Sequence, residues 1–250
     1  MKSAGQGNAA RGRLKPARWN FGETIAFVAF LIWTAAGLIF TLRHITPETI
    51  AHWKVPPELA RFVKLCLENG DPILILLAFI STHLHAVRQW SAGVAWHWAL
   101  MILICSYAIE TLGAGTGFPF GEYHYTTFFG PILGLVPLTI PLAWHVVLTN
   151  ALFVVRCLLP HSTRLTEAVV AGIICTLYDF VLEPFATTVK YYWIWSEREI
   201  PPLNYVAWFI LSAMLIGMFS PTISTRYRFD PRPFLILFLT VLIFFAGEAK

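Results

Sequence analysis

The most constraining feature of this sequence is a series of apolar runs, each close to the length of helix that crosses a lipid bilayer. Charged residues make up only 13% of the chain, whereas a soluble domain carries about a quarter. The runs predict transmembrane helices at residues 22–42, 73–90, 94–112, 133–157, 166–187, 203–221 and 233–247. We therefore predict an all-α fold, a polytopic membrane bundle of about seven transmembrane helices.

The polar ends of the chain and its charges predict how this bundle is organised. Residues 1–21 form a basic tail without an evident small-residue cleavage site, so we expect the first run to be an anchor and not a removed signal peptide. We expect residues 22–250 to be a single integral-membrane domain. The distribution of lysine and arginine favours a cytoplasmic N-terminus in a bacterial or archaeal cell membrane. The net charge of +4 then reflects topology and attraction to membrane lipids, and we predict no nucleic-acid partner.

The segment GAGTGFPFGEYHYT, residues 113–126, interrupts the apolar runs with glycines, aromatic rings and polar groups. Non-helical backbone at membrane depth is tolerated only where protein or a wet cavity surrounds it. Phe118 and Phe120 are large enough to seal such a cavity, and the glycines allow sharp turns and close approach. We predict a re-entrant or capping loop over a pocket between the helices.

Ionisable side chains inside the predicted spans indicate a functional site, because burying them in a bilayer is costly. If successive spans alternate in direction, Glu110, Asp179, Glu183 and Asn204 all fall in the same half of the bilayer as the glycine-rich segment. Asp179 and Glu183 are four residues apart and share one helix face. Two carboxylates that close in a low dielectric resist joint ionisation, so one of them is expected to carry a proton and to be able to donate it.

Four blocks in this order resemble the signature of the CruF-type carotenoid biosynthesis proteins, which are membrane carotenoid 1,2-hydratases and bisanhydrobacterioruberin hydratases. The blocks are GAGTGFPFGEYHYT, GLVPLTIPLAWHVV, YDFVLEPFATTVKYYWIW and IPPLNYVAWF, within residues 100–215. The resemblance implies hydration of the terminal C1–C2 double bond of an acyclic carotenoid end, of the lycopene, γ-carotene or bisanhydrobacterioruberin type. It implies a carotenoid substrate within the bilayer, other enzymes of the pathway as partners, and no metal or redox cofactor. This chain departs from the pattern at Glu183-Pro184, where relatives often carry Asp-Pro.

The implied reaction needs an acid, a group that holds water and aromatic faces that stabilise a carbocation. By depth and residue type, Asp179 and Glu183 are the candidate proton donors, with Asp179 the stronger because it lies deeper. The candidates for holding and deprotonating the water are Glu110, Glu122 and His124. The predicted substrate-binding residues are Tyr123, Tyr125, Tyr178, Phe118, Phe120, Trp193, Trp195 and Asn204.

Each of these groups also has a structural interpretation. Glu110 could cap a helix or bind the glycine-rich backbone, the Asp179–Glu183 pair could lock helix packing, and His124 could be an interfacial residue. The sequence shows no His-x-x-His-His cluster, and histidines two apart on a helix point to different faces, so we predict no metal site. His145 and Asn150 are expected to form hydrogen bonds between helices.

Three other functions compete with the hydratase. A carotenoid-binding or assembly protein would use the same pocket without chemistry, and a proton-coupled transporter would use the carboxylates as relays. The transporter is less favoured because no inverted repeat is evident. A retinal photoreceptor is excluded because the last apolar run has no lysine for a Schiff base.

Overall fold

The structure, a computed structural model, describes residues 20–46, 49–50, 52, 55–222 and 229–249. Residues 1–19, which carry the predicted basic tail, lie outside this range. Within it the chain is predominantly helical. The helices are α1 (Phe21–Leu42), α2 (Pro57–Glu68), α3 (Gly70–Gln89), α4 (Ala92–Thr116), α5 (Thr139–Leu158), α6 (Arg164–Pro184), α7 (Pro202–Phe219) and α8 (Arg232–Glu248).

Six of these helices, α1 and α3 to α7, are long and apolar enough to cross a membrane. The 17-residue helix α8 corresponds to the seventh predicted span and packs against α1, α5 and α6. The predicted all-α polytopic fold is therefore confirmed, and seven is an approximate count of its spans. Helix α2 has no buried residue, in keeping with a position outside the helical bundle.

The helix boundaries follow from local capping chemistry. The side chains of Asn20, Ser91 and Thr163 accept hydrogen bonds from backbone N–H groups in the first turns of α1, α4 and α6. Helix α4 ends at Thr116 and is capped by Gly117, which adopts the left-handed conformation at φ 78°. Helix α6 passes into a single π-helical turn, Phe185–Val189, directly after Pro184.

Helix α5 is the centre of the bundle, and it packs against α3, α4, α6 and α8. Polar side chains join it to its neighbours: Trp98 of α4 donates to Thr149 at 2.9 Å, and Asn150 donates to Thr82 of α3 at 2.8 Å. The prediction for Asn150 is therefore confirmed. The prediction for His145 is wrong, because neither of its ring nitrogens has a hydrogen-bond partner within the described residues.

The connection between α4 and α5 differs in detail from the predicted loop. The first four residues of the glycine-rich segment continue α4. Gly113, within this last part of the helix, has no side chain, so Phe120 and Tyr123 pack directly against the helix backbone. Strand β1 (Tyr123–Tyr125) then pairs antiparallel with β4 (Trp193–Trp195), which follows α6. Strands β2 (Ile132–Leu133) and β3 (Val136–Pro137) form a short hairpin. Because this hairpin occupies the start of the predicted fourth span, α5 begins at Thr139 and not at residue 133.

Candidate functional site: a carboxylate-lined aromatic cavity

A cavity of about 880 Å³, including its open mouth, lies at the end of the bundle that the β1–β4 pair covers. Its lining comes from the first turns of α3, α5 and α7 and from the last turns of α4, α6 and α8, together with both strands. Because consecutive spans alternate in direction, these six helix ends meet at one side of the molecule. Ten predicted site residues line this cavity: Glu110, Phe120, Tyr123, Tyr125, Tyr178, Asp179, Glu183, Trp193, Trp195 and Asn204.

The carboxylate of Glu110, on α4, is held by three donors. Tyr123 and Tyr125 donate their hydroxyls to Oε2 at 2.8 and 2.6 Å, and the Trp144 indole donates to Oε1 at 2.7 Å. All three groups are donors, so both oxygens of the Glu110 carboxyl group act as acceptors. The two strand tyrosines thereby fix the position of a helix side chain.

The carboxylates of Asp179 and Glu183 share one amide group. Asn204, at the start of α7, donates from Nδ2 to Asp179 at 2.8 Å and to Glu183 at 3.1 Å. Glu183 also accepts bonds from the indoles of Trp193 and Trp195, at 3.2 and 3.0 Å. Within the part of the chain that the structure describes, the Asn204 bond is the one hydrogen bond to the Asp179 side chain, so Asp179 is the less restrained of the two acids.

The aromatic walls follow from the register of the strand pair. Tyr123 lies opposite Trp195 and Tyr125 opposite Trp193, and side chains two residues apart on a strand point to the same side. All four rings therefore face the cavity. Burial raises the pKa of Tyr123 and of Tyr125, and the nearby Glu110 carboxylate adds to the effect, so both phenols remain neutral donors.

Three predicted site residues lie outside the cavity lining. His124 alternates with Tyr123 and Tyr125 on β1, so it points away and is exposed, opposite Ile194. Glu122 is also exposed; its carbonyl accepts a backbone bond from Ser196, and its side chain does not line the cavity. Phe118 is 66% exposed. The alternation of aromatic and other residues in Tyr-His-Tyr and Trp-Ile-Trp was the sequence signal for a strand pair.

Sequence reasoning missed two tryptophans of the cavity wall. Trp144 of α5 and Trp208 of α7 stack with ring centroids 4.0 Å apart and planes 8° from parallel. Trp144 also orients Glu110. Both lie within apolar runs, and their helical spacing alone does not distinguish a cavity lining from ordinary core packing.

An ion pair between separate elements includes Asp71, one of the residues that line the cavity. Asp71, in the first turn of α3, accepts a bond from Lys190 at 2.8 Å. Lys190 follows the π-helical turn, and its Nζ lies 5.6 Å from the centroid of the Phe185 ring. This pair ties the segment before β4 to the start of α3.

A second group of charged residues lies at the opposite end of the bundle, where α1 and α8 begin and α3 ends. Glu23, His85 and Asp230 have side-chain ligand atoms close enough together to hold a metal ion. Arginines already neutralise these carboxylates: Arg88 lies 2.8 Å from Glu23 and 2.5 Å from Asp230, and Arg232 pairs with both acids. The arrangement is a buried ion-pair network that joins three helices.

The fold and the cavity together define a polytopic helical membrane protein with a carboxylate-bearing aromatic chamber in one half of its span. The chain belongs to the family of carotenoid biosynthesis proteins, whose family model matches residues 70–249. This range contains the whole cavity lining and confirms the resemblance of the four sequence blocks.

A named relative gives a more specific comparison. The chain is 29% identical over 154 residues to the bisanhydrobacterioruberin hydratase of Haloarcula japonica. The match covers 58% of this chain and 51% of the relative, so the chain spans about half of that protein's length. No solved structure matches the chain.

Proposed function

We propose that this protein adds water across the terminal C1–C2 double bond of an acyclic carotenoid end. The observation that carries the proposal is that one aromatic cavity holds three acidic side chains in two separate arrangements. Asp179 and Glu183 share the amide of Asn204, and Glu110 accepts hydrogen bonds from three other donors. The similarity to a protein named as a bisanhydrobacterioruberin hydratase supports a hydration reaction. The wider membrane setting suits a carotenoid substrate, which is dissolved in the bilayer.

The first step is protonation of the alkene by the Asp179–Glu183 pair. Two carboxylates bound to one amide repel each other when both are ionised, which favours one proton retained between them. We assign the transfer to Asp179, whose side chain accepts a single hydrogen bond from the described residues and is therefore freer to turn toward substrate. The O–H bond of Asp179 breaks, and the π electrons of the alkene form a new C–H bond at C2. C1 then becomes a tertiary carbocation.

The cavity walls stabilise this cation until water reaches it. Aromatic faces attract a cation through their quadrupole, most strongly when the site is desolvated. Tyr123, Tyr125, Trp193 and Trp195 face the cavity together, and the ionised acids contribute charge of the opposite sign. The end group of the carotenoid would lie against these rings, and the polyene would extend from the cavity.

Glu110 is the proposed base for the second step. Water attacks C1 through its oxygen, and the Glu110 carboxylate accepts the proton that the bound water releases. The product is a tertiary alcohol. The proton on Glu110 then returns to the acid pair by exchange, so one water is added overall and no electron is gained or lost. This redox-neutral balance needs no redox cofactor.

The test is expression of the full chain in a bacterium that accumulates lycopene, followed by extraction and mass spectrometry of the pigments. A hydratase gives a product heavier than lycopene by the mass of one water molecule. Unchanged lycopene that copurifies with the protein would instead indicate a binding or assembly protein, and unchanged pigment without binding would count against both. Cells that express the Asp179→Asn variant are the matched control, because the asparagine keeps the side-chain size but donates no acidic proton.

A further inference from the structure

Outside the cavity, two buried histidines face each other between helices. His83 of α3 and His145 of α5 are 5% and 0% exposed, and their ring centroids are 5.8 Å apart. Phe79 packs against His145 at 4.9 Å between centroids, and Trp96 of α4 packs against His83 at 4.1 Å. All four imidazole nitrogens are without a hydrogen-bond partner among the residues that the structure describes.

This arrangement requires a ligand that both donates and accepts hydrogen bonds. A neutral imidazole carries one N–H donor and one acceptor nitrogen, so the pair presents two of each. Buried polar groups in folded proteins are almost always satisfied, and an unpaired group loses its hydration without compensation. Because the two side chains are 5% and 0% exposed, bulk solvent does not replace the missing partners.

A metal ion is a poor match for this pair. Imidazole binds transition metals well, but a structural zinc site takes four protein ligands, and two histidines supply two, one nitrogen from each ring. The acid cluster that could hold a metal, Glu23 with His85 and Asp230, is a different group of side chains. A divalent cation between neutral rings would also be buried without a balancing negative charge.

We propose that His83 and His145 bind ordered water at the interface of α3, α4 and α5. Water offers two donors and two acceptors, and buried waters typically make about three hydrogen bonds to otherwise unsatisfied groups. Another buried acceptor supports a hydrated interface between α3 and α5: among the described residues the Oδ1 atom of Asn150 has no hydrogen-bond partner, while its Nδ2 donates to Thr82, which precedes His83 in the sequence. The proposal is independent of the hydratase reaction.

The site also lies close to the chamber. Phe79, which packs on His145, is one helical turn along α3 from Ile75, and Ile75 lines the cavity. Phe79 therefore lies between the histidine pair and the part of α3 that lines the cavity.

The direct test uses protein with ¹⁵N-labelled histidine in lipid bilayers and measures magnetisation transfer from water protons to the ring nitrogens. The chain has eight histidines, so His83→Phe and His145→Phe variants assign the two signals. We expect water transfer to both rings in the unmodified protein. Absence of transfer to either ring, or one metal ion per chain in elemental analysis of protein that has had no contact with metal-affinity resin, would overturn the proposal.

Thermal unfolding gives a second readout. If the pair shares water, either phenylalanine substitution leaves the other imidazole and the water short of a partner, so each single variant unfolds at a lower temperature. The double variant should then lose less than the sum of the two. If both single variants are more stable than the parent and their effects add, the imidazoles are simply unsatisfied and the inference fails. The control is His97→Phe on the exposed side of α4, which should change the midpoint little.

Discussion

The two glutamates near the glycine-rich segment show what decides a functional assignment at the scale of single residues. Glu110 and Glu122 have the same chemistry and lie near each other in sequence, and both were candidate bases. Glu110 is buried under three donors in the cavity, whereas Glu122 is exposed outside it. The residue type indicated the chemistry, but only the contacts distinguish the two positions.

The two glutamates provide a matched prediction. We expect Glu110→Gln to lower hydration by about 10²–10⁴-fold, the usual contribution of a general base. The amide also presents an N–H group to donors that need an acceptor, so the variant should lose about 1–3 kcal/mol of stability. Pigment yield and thermal unfolding measure the two effects. Glu122→Gln should change neither; if it abolished hydration while Glu110→Gln did not, the assigned base would be wrong.

Asp179→Asn is the corresponding test of the acid. Asparagine has nearly the same size, and its side-chain oxygen can still accept the bond from Asn204, so the protein should fold and insert normally. Hydration should fall by about 10²–10⁴-fold because no acidic proton is available. Protein level in the membrane and bound lycopene should stay near those of the parent. Full activity in this variant would move the acid role to Glu183.

At the scale of elements, the pairing of β1 with β4 explains the composition of the glycine-rich segment. The strand places its tyrosines inward, and Gly113 leaves room for them: a Cβ at this position would lie 2.7 Å from Phe120 Cδ2 and 2.8 Å from Tyr123 Oη. Gly121, at φ 122°, approaches Pro201 in the same way, with a Cβ distance of 2.6 Å to its Cγ. These glycines bring the strands against the helices.

Gly113→Ala tests this close approach. Alanine favours an isolated helix by about 1 kcal/mol, but here it must displace Phe120 and Tyr123, and Tyr123 holds Glu110. We expect hydration to fall at least about tenfold, which corresponds to about 1.4 kcal/mol in the barrier. The control is Gly115→Ala on the same helix, where the new Cβ would lie 3.5 Å from Leu135. Equal effects from the two substitutions would contradict the packing argument.

At the scale of the whole molecule, hydropathy predicted the membrane spans and the depth of the polar residues. The contacts of individual side chains could be determined only from the structure. The spans, and the meeting of Glu110, Asp179, Glu183 and Asn204 in one half, follow from span length and alternation, because the membrane permits few other arrangements. The roles of His124 and Trp144 could not be predicted in this way. They depend on a three-residue strand and on which face of α5 meets α4, and both are set by tertiary contacts.

The separation of charged groups between the two ends of the bundle leads to a prediction about stability. Glu23 is 1% exposed and pairs with Arg88 and Arg232, far along the helices from the cavity. Removing one partner of a buried ion pair leaves uncompensated charge and costs on the order of 3–5 kcal/mol. Glu23→Gln should therefore lower the unfolding midpoint of the purified protein markedly. Because the cavity carboxylates keep their contacts, the protein that remains folded should form the same hydrated product at a similar rate per molecule. A variant of normal stability would mean that the network contributes little, and a stable variant that had lost hydration would mean that the two ends of the bundle are coupled.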